Sequence, residues 1–431
     1  MQAEIQKPTQ PQPVNTFDVL RLPNFRWLLT SNVLANGASW IQGVIISWLV
    51  YDITGSGTML GMINLMNMLA SLLLSPFAGI VIDRRSKHKL MLLTNTWFFT
   101  INAGIGLVLF AGITQVWPLL VFSLLSGMGL AIDSPLRQTV LFVLVPRRLT
   151  PSALGFVQTG WAVMRTLGPI IGGILLAWIG ADGSFFLQAG IFVLVIVSVL
   201  QLRFPAQQRD AAPSKKPTGD FVAGGLHILK NPHTRVFTIM GSILQLCIIP
   251  VFVVMPAIFA KDLFQSGPQV LGYLTSAVGF GGIIGGMVAT SIKKIDHRGR
   301  LEQIAMVLLG CSFIGFGTSA GIWPALGFLW LSGFFEMIFL INNQTLLQLS
   351  IPDALRGRVN GILALGSGLI PLGSLVAGYG ADQLGPRPTT VLMGVAAILI
   401  TLVVFLVSPT IRRYRLSAFL AFDESGSPST E

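Results

Sequence analysis

The chain has 431 residues, of which 52% are hydrophobic and only 10% are charged, and its mean hydropathy is +0.73. A soluble domain carries about a quarter charged residues, so this composition excludes an ordinary soluble protein. The formal net charge of +11 does not indicate nucleic-acid binding, because the basic residues lie in short loops between apolar stretches, where they set membrane topology.

Long apolar stretches, separated by charged or Gly/Pro-rich breaks, follow one another along the chain. Each is close to the roughly 20 helical residues that cross a bilayer, whereas the strands of a membrane β-barrel are about half as long. The sequence therefore predicts an all-α polytopic membrane protein with twelve transmembrane helices in two pseudo-symmetric six-helix bundles. The predicted spans lie near 26–50, 58–82, 90–112, 117–142, 153–179, 184–203, 235–260, 269–292, 302–321, 324–349, 358–380 and 387–408.

A polar stretch at 204–234 divides the chain. It has a linker-like composition and then reads DFVAGGLHILKNP, which suits a short amphipathic helix on the membrane surface. The two halves echo each other, because LVPRRLTPSALG at 144–155 aligns with SIPDALRGRVNG at 350–361 at an offset of 206 residues. Such a duplication is typical of secondary transporters, in which the substrate site lies between two halves that rock against each other. The expected units are a tail at 1–25, a bundle at 26–203, the linker at 204–234, a bundle at 235–408 and a tail at 409–431.

The distribution of Lys and Arg sets the expected orientation, because basic loops stay on the cytoplasmic side. Most of the 28 Lys and Arg residues fall in the tails and in the loops on the same side as the tails. Only Lys261 and Arg387 fall in the opposite loops. We therefore expect a multi-pass protein of the plasma membrane with both termini in the cytoplasm. The opposite loops hold Asp52, Asp182, Asp262 and Asp382.

A charged sequence follows the second span, where residues Gly79 to Lys89 read GIVIDRRSKHK. It resembles the loop signature G-x-x-x-D-R-x-G-R-[RK] of the major facilitator superfamily, with Ser86 at the glycine position and Lys87 at that of arginine. Four further stretches, LPNFRWLL, WLVYDITGS, DSPLRQ and RTLGPIIGG, resemble the branch of multidrug and siderophore exporters related to the enterobactin exporter.

The resemblance implies an inner gate. In the superfamily, the loop aspartate closes the inner face by meeting the start of the eleventh helix, and a helix N-terminus does attract a carboxylate. Breaking that contact would favour the inward-open state. The alternative for the basic residues Arg84, Arg85, Lys87 and Lys89 is that they only fix topology and contact anionic lipid. The predicted gate consists of Gly79, Asp83, Arg84, Lys87, Arg356 and Arg358.

Four charged residues fall inside predicted spans, where charges are costly and usually mark a pathway or a buried pair. Asp133 and Arg137 lie four residues apart on one helix, so they can pair. Arg165 lies at a depth that matches Asp133 if spans four and five form a hairpin, and we predict that the three form one network. Its role is either a proton-sensitive switch or only a lock between helices.

Glu336 is the fourth charged residue inside a predicted span, and it has no cation near it in sequence. We expect this carboxyl to be protonated much of the time, because the charged form is disfavoured in an apolar helix. It would suit a proton carrier or a site for a cationic drug, with an interhelical hydrogen bond as the alternative.

Span five contains GPIIGG, which comprises Gly168, Pro169, Gly172 and Gly173 and resembles the antiporter signature G-P-x-x-G-G of the superfamily. Pro169 is expected to kink the helix, and the glycines let a neighbouring helix approach. A close-packed helix crossing is the alternative interpretation.

Polar candidates for the central cavity are Asn32, Asn36, Trp40, Gln42, Gln158, Gln245, Asn342 and Asn343, although interhelical hydrogen bonds would explain each of them as well.

We therefore predict a secondary active transporter, a proton-driven antiporter that exports a small amphipathic compound, drug-like or siderophore-like, by alternating access. An importer with the same fold is the alternative, because the fold does not fix direction. A membrane-embedded enzyme is a remote alternative, since neither HExxH nor a serine-centred elbow occurs. We expect no metal, no cofactor and no nucleic-acid partner; the lipid bilayer and a small-molecule substrate are the expected partners of a monomer.

Overall fold

The computed structural model describes residues 15–204, 218–291, 297–352, 355–366 and 368–408. Nearly all of these residues are helical and none of them lies in a β-strand, so the prediction of an all-α fold is confirmed. Helices suit a bilayer because they satisfy backbone N–H and C=O groups within one segment, where lipid offers no hydrogen-bond partner.

Long helices make up both halves of the chain. The first half contains α1 Pro23–Thr54, α2 Gly57–Arg84, α3 Lys87–Phe110, α4 Val116–Leu144 and α5 Thr150–Leu200. A short helix, α6 Thr218–Lys230, precedes the second half. The second half contains α7 Pro232–Leu263, α8 Pro268–Ser291, α9 Arg298–Thr318, α10 Ile322–Leu349, α11 Arg356–Gly366, α12 Leu369–Leu384 and α13 Pro386–Val407.

Local signals set the helix ends at the turn between α1 and α2. Gly55 ends α1 in the left-handed region at φ 59°, a conformation that glycine adopts without a Cβ penalty. Ser56 then caps α2, because its hydroxyl accepts a hydrogen bond from the N–H of Met59. The turn between the two helices is therefore only two residues long, which leaves the start of α2 close to the end of α1.

Helix α5 contains the two predicted spans 153–179 and 184–203 as two arms. Gly180, with φ 73° and ψ −179°, breaks the helix between them. Val157 of the first arm and Phe192 of the second line the same cavity, so the arms lie side by side.

The described residues contain ten helices that are long and apolar enough to cross a membrane, and α5 with its two arms counts once among them. Helices α11 and α12 have 11 and 16 residues and fall short of that length; they occupy the predicted span 358–380. The chain is thus a multi-pass membrane protein, whereas the number of twelve spans stays a prediction.

The two ends of the bundle differ in charge and in packing. We call the end that carries Asp52, Asp262 and Asp382 the acidic face, and the opposite end, which carries Arg84 and Arg298, the basic face. At the acidic face the halves touch, because Asp52 of α1 pairs with Lys261 of α7 at 2.7 Å.

The glycines show that the halves separate towards the basic face. A Cβ built on Gly173 of α5 would lie 2.5 Å from the carbonyl oxygen of Pro268, at the start of α8. By contrast, a Cβ on Gly155 of α5 or on Gly79 of α2, both nearer the basic face, would meet nothing within 4 Å. The space between the halves therefore opens towards the basic face.

Candidate functional site: a central cavity and its ion pair

A cavity of about 330 Å³ lies between the two halves. Helices α1 and α5 form one wall, and α7, α8 and α10 form the other. Aromatic rings from both halves line it, and two of them, Trp40 and Trp161, meet edge to face at 6.0 Å. Its charged residues are Arg165 and Glu336, so the site combines an apolar aromatic surface with one ion pair.

The ion pair joins the two halves. Nη2 of Arg165, on α5, lies 2.6 Å from Oε2 of Glu336, on α10, and the two side chains are only 12% and 5% exposed. The guanidinium also lies 5.6 Å from the centre of the Trp161 ring, within reach of a cation–π interaction. Glu336 thus has a cation, contributed by the other half of the chain, which its sequence neighbourhood does not reveal.

The predicted contact between Asp133 and Arg165 is therefore wrong. Matching depth along a hairpin does not fix how each helix is rotated, and Arg165 faces the second half instead of α4. Asp133 pairs with Arg137 on its own helix, as the four-residue spacing predicts.

Neighbouring helices complete the Asp133–Arg137 pair. Arg137 donates to Oδ1 of Asn95 at 2.9 Å and to the hydroxyl of Ser31 at 3.4 Å. Thr94 donates to Oδ1 of Asp133 at 2.9 Å. This pair is therefore satisfied within α1, α3 and α4 of the first half.

A matching cluster occupies the second half. Nδ2 of Asn343 donates to Oε1 of Glu302 at 2.7 Å and to the carbonyl oxygen of Phe237 at 2.9 Å. Asn343 and Phe237 lie 206 residues after Arg137 and Ser31, so the repeat seen in the sequence extends to the contacts. Glu302 is fully buried, although its place at the first position of a predicted span suggested a residue at the membrane surface instead of a functional one.

The predicted cavity residues separate into two groups. Asn36 and Gln158 line a second space, of about 420 Å³, between α1, α4 and α5 on the side of the basic face, and Trp40 lines the central cavity. Asn342 and Asn343 line neither space; both are buried, and they hold α10 to α7 and α9, since Asn342 donates to the carbonyl oxygen of Arg298. For these two residues the structure fits the alternative interpretation of the sequence, in which the side chain joins helices by hydrogen bonds instead of lining the cavity.

Asn32 also lines the second space, whereas Gln42 and Gln245 line neither cavity. Gln245 falls in a π-helical turn of α7 at Leu244–Ile248, and its Oε1 is buried with no partner among the described residues. Such turns often occur at functional sites, where they alter the direction of the side chains.

The GPIIGG motif lies at helix crossings. Cβ atoms built on Gly168 and Gly172 would approach α1, at 2.6 Å from Trp40 and 3.0 Å from Ile41. Gly173 approaches α8 instead, and the carbonyl oxygen of Pro169 lies 2.5 Å from a Cβ built on Gly272 of α8. The motif therefore packs α5 against its own half and against the other half.

Four charged residues of the predicted inner gate are exposed in this structure. Asp83 and Arg84 are exposed at the end of α2, and none of the four ion pairs among the described residues contains Asp83. Arg356 and Arg358 are exposed at the start of α11, where the backbone of Arg358 packs against Gly224 of α6. The expected contact of Asp83 with α11 stays a prediction for another conformation.

The acidic face holds further contacts between the two halves. Asp382, beyond the predicted span 358–380, accepts hydrogen bonds from the N–H groups of Gly57 and Thr58 at 2.6 and 2.9 Å and from the hydroxyls of Ser56 and Thr58 at 2.7 and 2.6 Å. Partial burial alone would raise the pKa of Asp382, but these hydrogen bonds outweigh it and hold the pKa below its usual range. Asp262 also accepts a hydrogen bond from the hydroxyl of Tyr51.

Solved structures share this fold. A POT family transporter in complex with 5-aminolevulinic acid superposes with a TM-score of 0.72 at 13% identity, covering 90% of this chain and 96% of that one. A bacterial homologue of the iron transporter ferroportin in an inward-facing state gives a TM-score of 0.66 at 16% identity, covering 90% and 98%.

Two relatives in sequence are a transporter and an exporter. The staphyloferrin A transporter of Staphylococcus aureus is 24% identical over 388 residues, which cover 89% of this chain and 96% of the relative. The enterobactin exporter EntS of Escherichia coli is 27% identical over 356 residues, covering 78% and 80%. The profile of the transmembrane secretion effector family matches residues 14–422. The chain therefore belongs to the transmembrane secretion effector family of the major facilitator superfamily, and it is a membrane transporter, not an enzyme.

Proposed function

We propose that this transporter exports a small amphipathic compound, siderophore-like or drug-like, in exchange for protons. The observation that carries the proposal is the Arg165–Glu336 ion pair, which joins the halves inside the cavity between them. The names of the relatives, a staphyloferrin A transporter and an enterobactin exporter, support the substrate class. The cavity is complete within one chain, which supports a monomer as the working unit.

The orientation follows from the loop charges. We place the basic face and both termini in the cytoplasm, because loops rich in Lys and Arg stay on that side. The space between the halves then opens to the cytoplasm, where an exporter loads its substrate. In the opposite conformation, Asp83 docks on the start of α11 beside Arg356 and Arg358 and closes the cytoplasmic side.

Proton exchange acts through Glu336. A proton on its carboxylate removes the charge that holds Arg165, and a buried ion pair that loses one partner costs about 3–5 kcal/mol. A substrate donor that bonds the Glu336 carboxylate competes with that proton for the same oxygen. Because Glu336 then binds either the substrate or the proton, each change of conformation carries only one of them. Substrate and proton therefore cross the membrane in opposite directions, which is exchange.

Everted membrane vesicles test this proposal. The vesicles are acidified inside and followed with a pH-sensitive dye while a siderophore or a cationic dye is added outside. An exchanger moves protons out as substrate enters, so the dye signal recovers, whereas a proton symporter would give no such recovery. The Glu336→Gln variant should lose the recovery, and the Glu302→Gln variant, which changes a carboxyl outside the cavity, should retain it. A recovery of wild-type size in Glu336→Gln would contradict the proposal.

A further inference from the structure

We propose that Asp382 is the positioning residue that holds the acidic face closed, and that Asp382 and Asp83 act as alternating latches at opposite ends of one helix pair. One member of the pair is α2, and the other is the predicted span 358–380, which α11 and α12 form together. The inference goes beyond the substrate and the driving ion, since it concerns which residues select the open face. It rests on the alternating access of the proposed function.

The two latches share a sequence pattern. Helix α2 ends with GIVID, from Gly79 to Asp83, and α12 approaches its end with GYGAD, from Gly378 to Asp382. Residues four apart lie on the same face of a helix, so each glycine lies one turn before its aspartate on that face. Only the first of these patterns resembles the loop signature, because the second lacks the basic residues that follow Asp83.

The second latch is formed in this structure. A Cβ built on Gly378 would lie 2.0 Å from the carbonyl oxygen of Gly57, so the glycine lets α12 touch the start of α2. One turn further on, Asp382 accepts the N–H groups of Gly57 and Thr58. The first N–H groups of a helix have no partner within it, and a carboxylate there also meets the positive end of the helix dipole. Asp382 therefore supplies, from the second half, acceptors for two further N–H groups at the start of α2, beside the cap that Ser56 provides for Met59.

The first latch is open in the same structure. Asp83 is exposed, and a Cβ on Gly79 would meet nothing within 4 Å. Helix α2 has 28 residues and spans about 42 Å, so it acts as a lever between the two faces. A rocking motion that brings Asp83 to the start of α11 lifts the start of α2 away from Asp382. Each latch is thus made in only one of the two conformations.

The exposed ion pair at the acidic face is a weaker candidate for this role. The Asp52–Lys261 pair is 52% and 31% exposed, and exposed ion pairs contribute little because water and salt screen them. Asp382 is also open to solvent on one side, but its four hydrogen bonds to Ser56, Gly57 and Thr58 are short and its acceptor is charged.

Cysteine labelling tests the latch without any transport assay. The two native cysteines, Cys247 and Cys311, are replaced by alanine, and Ser47→Cys places a reporter on the wall of the central cavity. A membrane-impermeant thiol reagent is then added from the acidic face. The Asp382→Asn variant should raise the labelling rate about fivefold or more, the effect of about 1 kcal/mol on the equilibrium between conformations.

Asp83→Asn should shift the equilibrium the other way, so labelling from the acidic face falls, and the double variant should return towards the parent rate. Asp182→Asn is the matched control, because it removes the same charge from the same face, and the hydrogen bonds of the described residues do not link Asp182 to the other half. Equal rates in Asp382→Asn and Asp182→Asn would overturn the proposal.

A second variant covers the case in which Asp382→Asn fails to reach the membrane. Thr58→Val removes one hydroxyl donor to Asp382 and leaves the backbone donors in place. Its labelling rate should rise by a smaller factor in the same direction, and an unchanged rate would refute the latch. Labelling needs neither a substrate nor a proton gradient, so a failure of the exporter proposal would leave this result intact.

Discussion

Replacing Arg165 by methionine should destabilise the protein strongly, because it leaves the Glu336 carboxylate without its cation. The two side chains are 12% and 5% exposed and their charged atoms lie 2.6 Å apart, so each charge depends on the other for its compensation. Removing one partner of such a pair costs about 3–5 kcal/mol. Glu336→Gln should cost less, since the amide oxygen still accepts a hydrogen bond from Arg165.

The double variant, Arg165→Met with Glu336→Gln, separates the pair interaction from the two side chains. With both charges gone, no uncompensated charge remains, and the double variant should cost about 2 kcal/mol less than the sum of the single variants. The free energy of unfolding is measured by titration with sodium dodecyl sulfate in mixed micelles for all four proteins. Losses that add within about 0.5 kcal/mol would refute the pairing.

A second cycle, between Arg165→Met and Asp133→Asn, serves as the control. Asp133 pairs with Arg137 on its own helix, so this cycle should be additive. Strong coupling there, with none between Arg165 and Glu336, would restore the contact predicted from sequence and exclude the one seen in the structure.

Three other changes have definite expected outcomes. Gly378→Ala should raise labelling of the cavity cysteine from the acidic face, because its Cβ would lie 2.0 Å from the carbonyl oxygen of Gly57; an unchanged rate would mean that α12 is not packed there. Asn343→Leu should lower the free energy of unfolding in mixed micelles by about 2 kcal/mol or more, since it leaves the buried Glu302 carboxyl without its donor; a loss below about 0.5 kcal/mol would argue against that hydrogen bond. Because docking lowers the pKa of Asp382 below the usual 3.8, its contribution is complete above that value and is lost only as the pH falls through the lowered pKa. Labelling from the acidic face should therefore not change between about pH 8 and pH 6, and a rise across that range would assign the pH response of the closed face to another group.

The sequence alone determined the class of the protein. Apolar runs and loop charges are local properties, so an all-α membrane protein could be predicted before any contact was known. The GIVIDRRSKHK and GPIIGG signatures pointed to the superfamily, and the spacing of Asp133 and Arg137 gave their pairing, because residues four apart on one helix are neighbours whatever surrounds them.

Only the tertiary structure decided what those residues do together. The partner of Glu336 stands 171 residues away in sequence, and the rotation of α5 that brings Arg165 to it results from packing against both halves. Asp382 is docked on the start of α2 while Asp83 is exposed, a difference that the similar GYGAD and GIVID patterns do not reveal. The relative position of the two halves determines which of these contacts form, and that position results from packing between residues far apart in sequence.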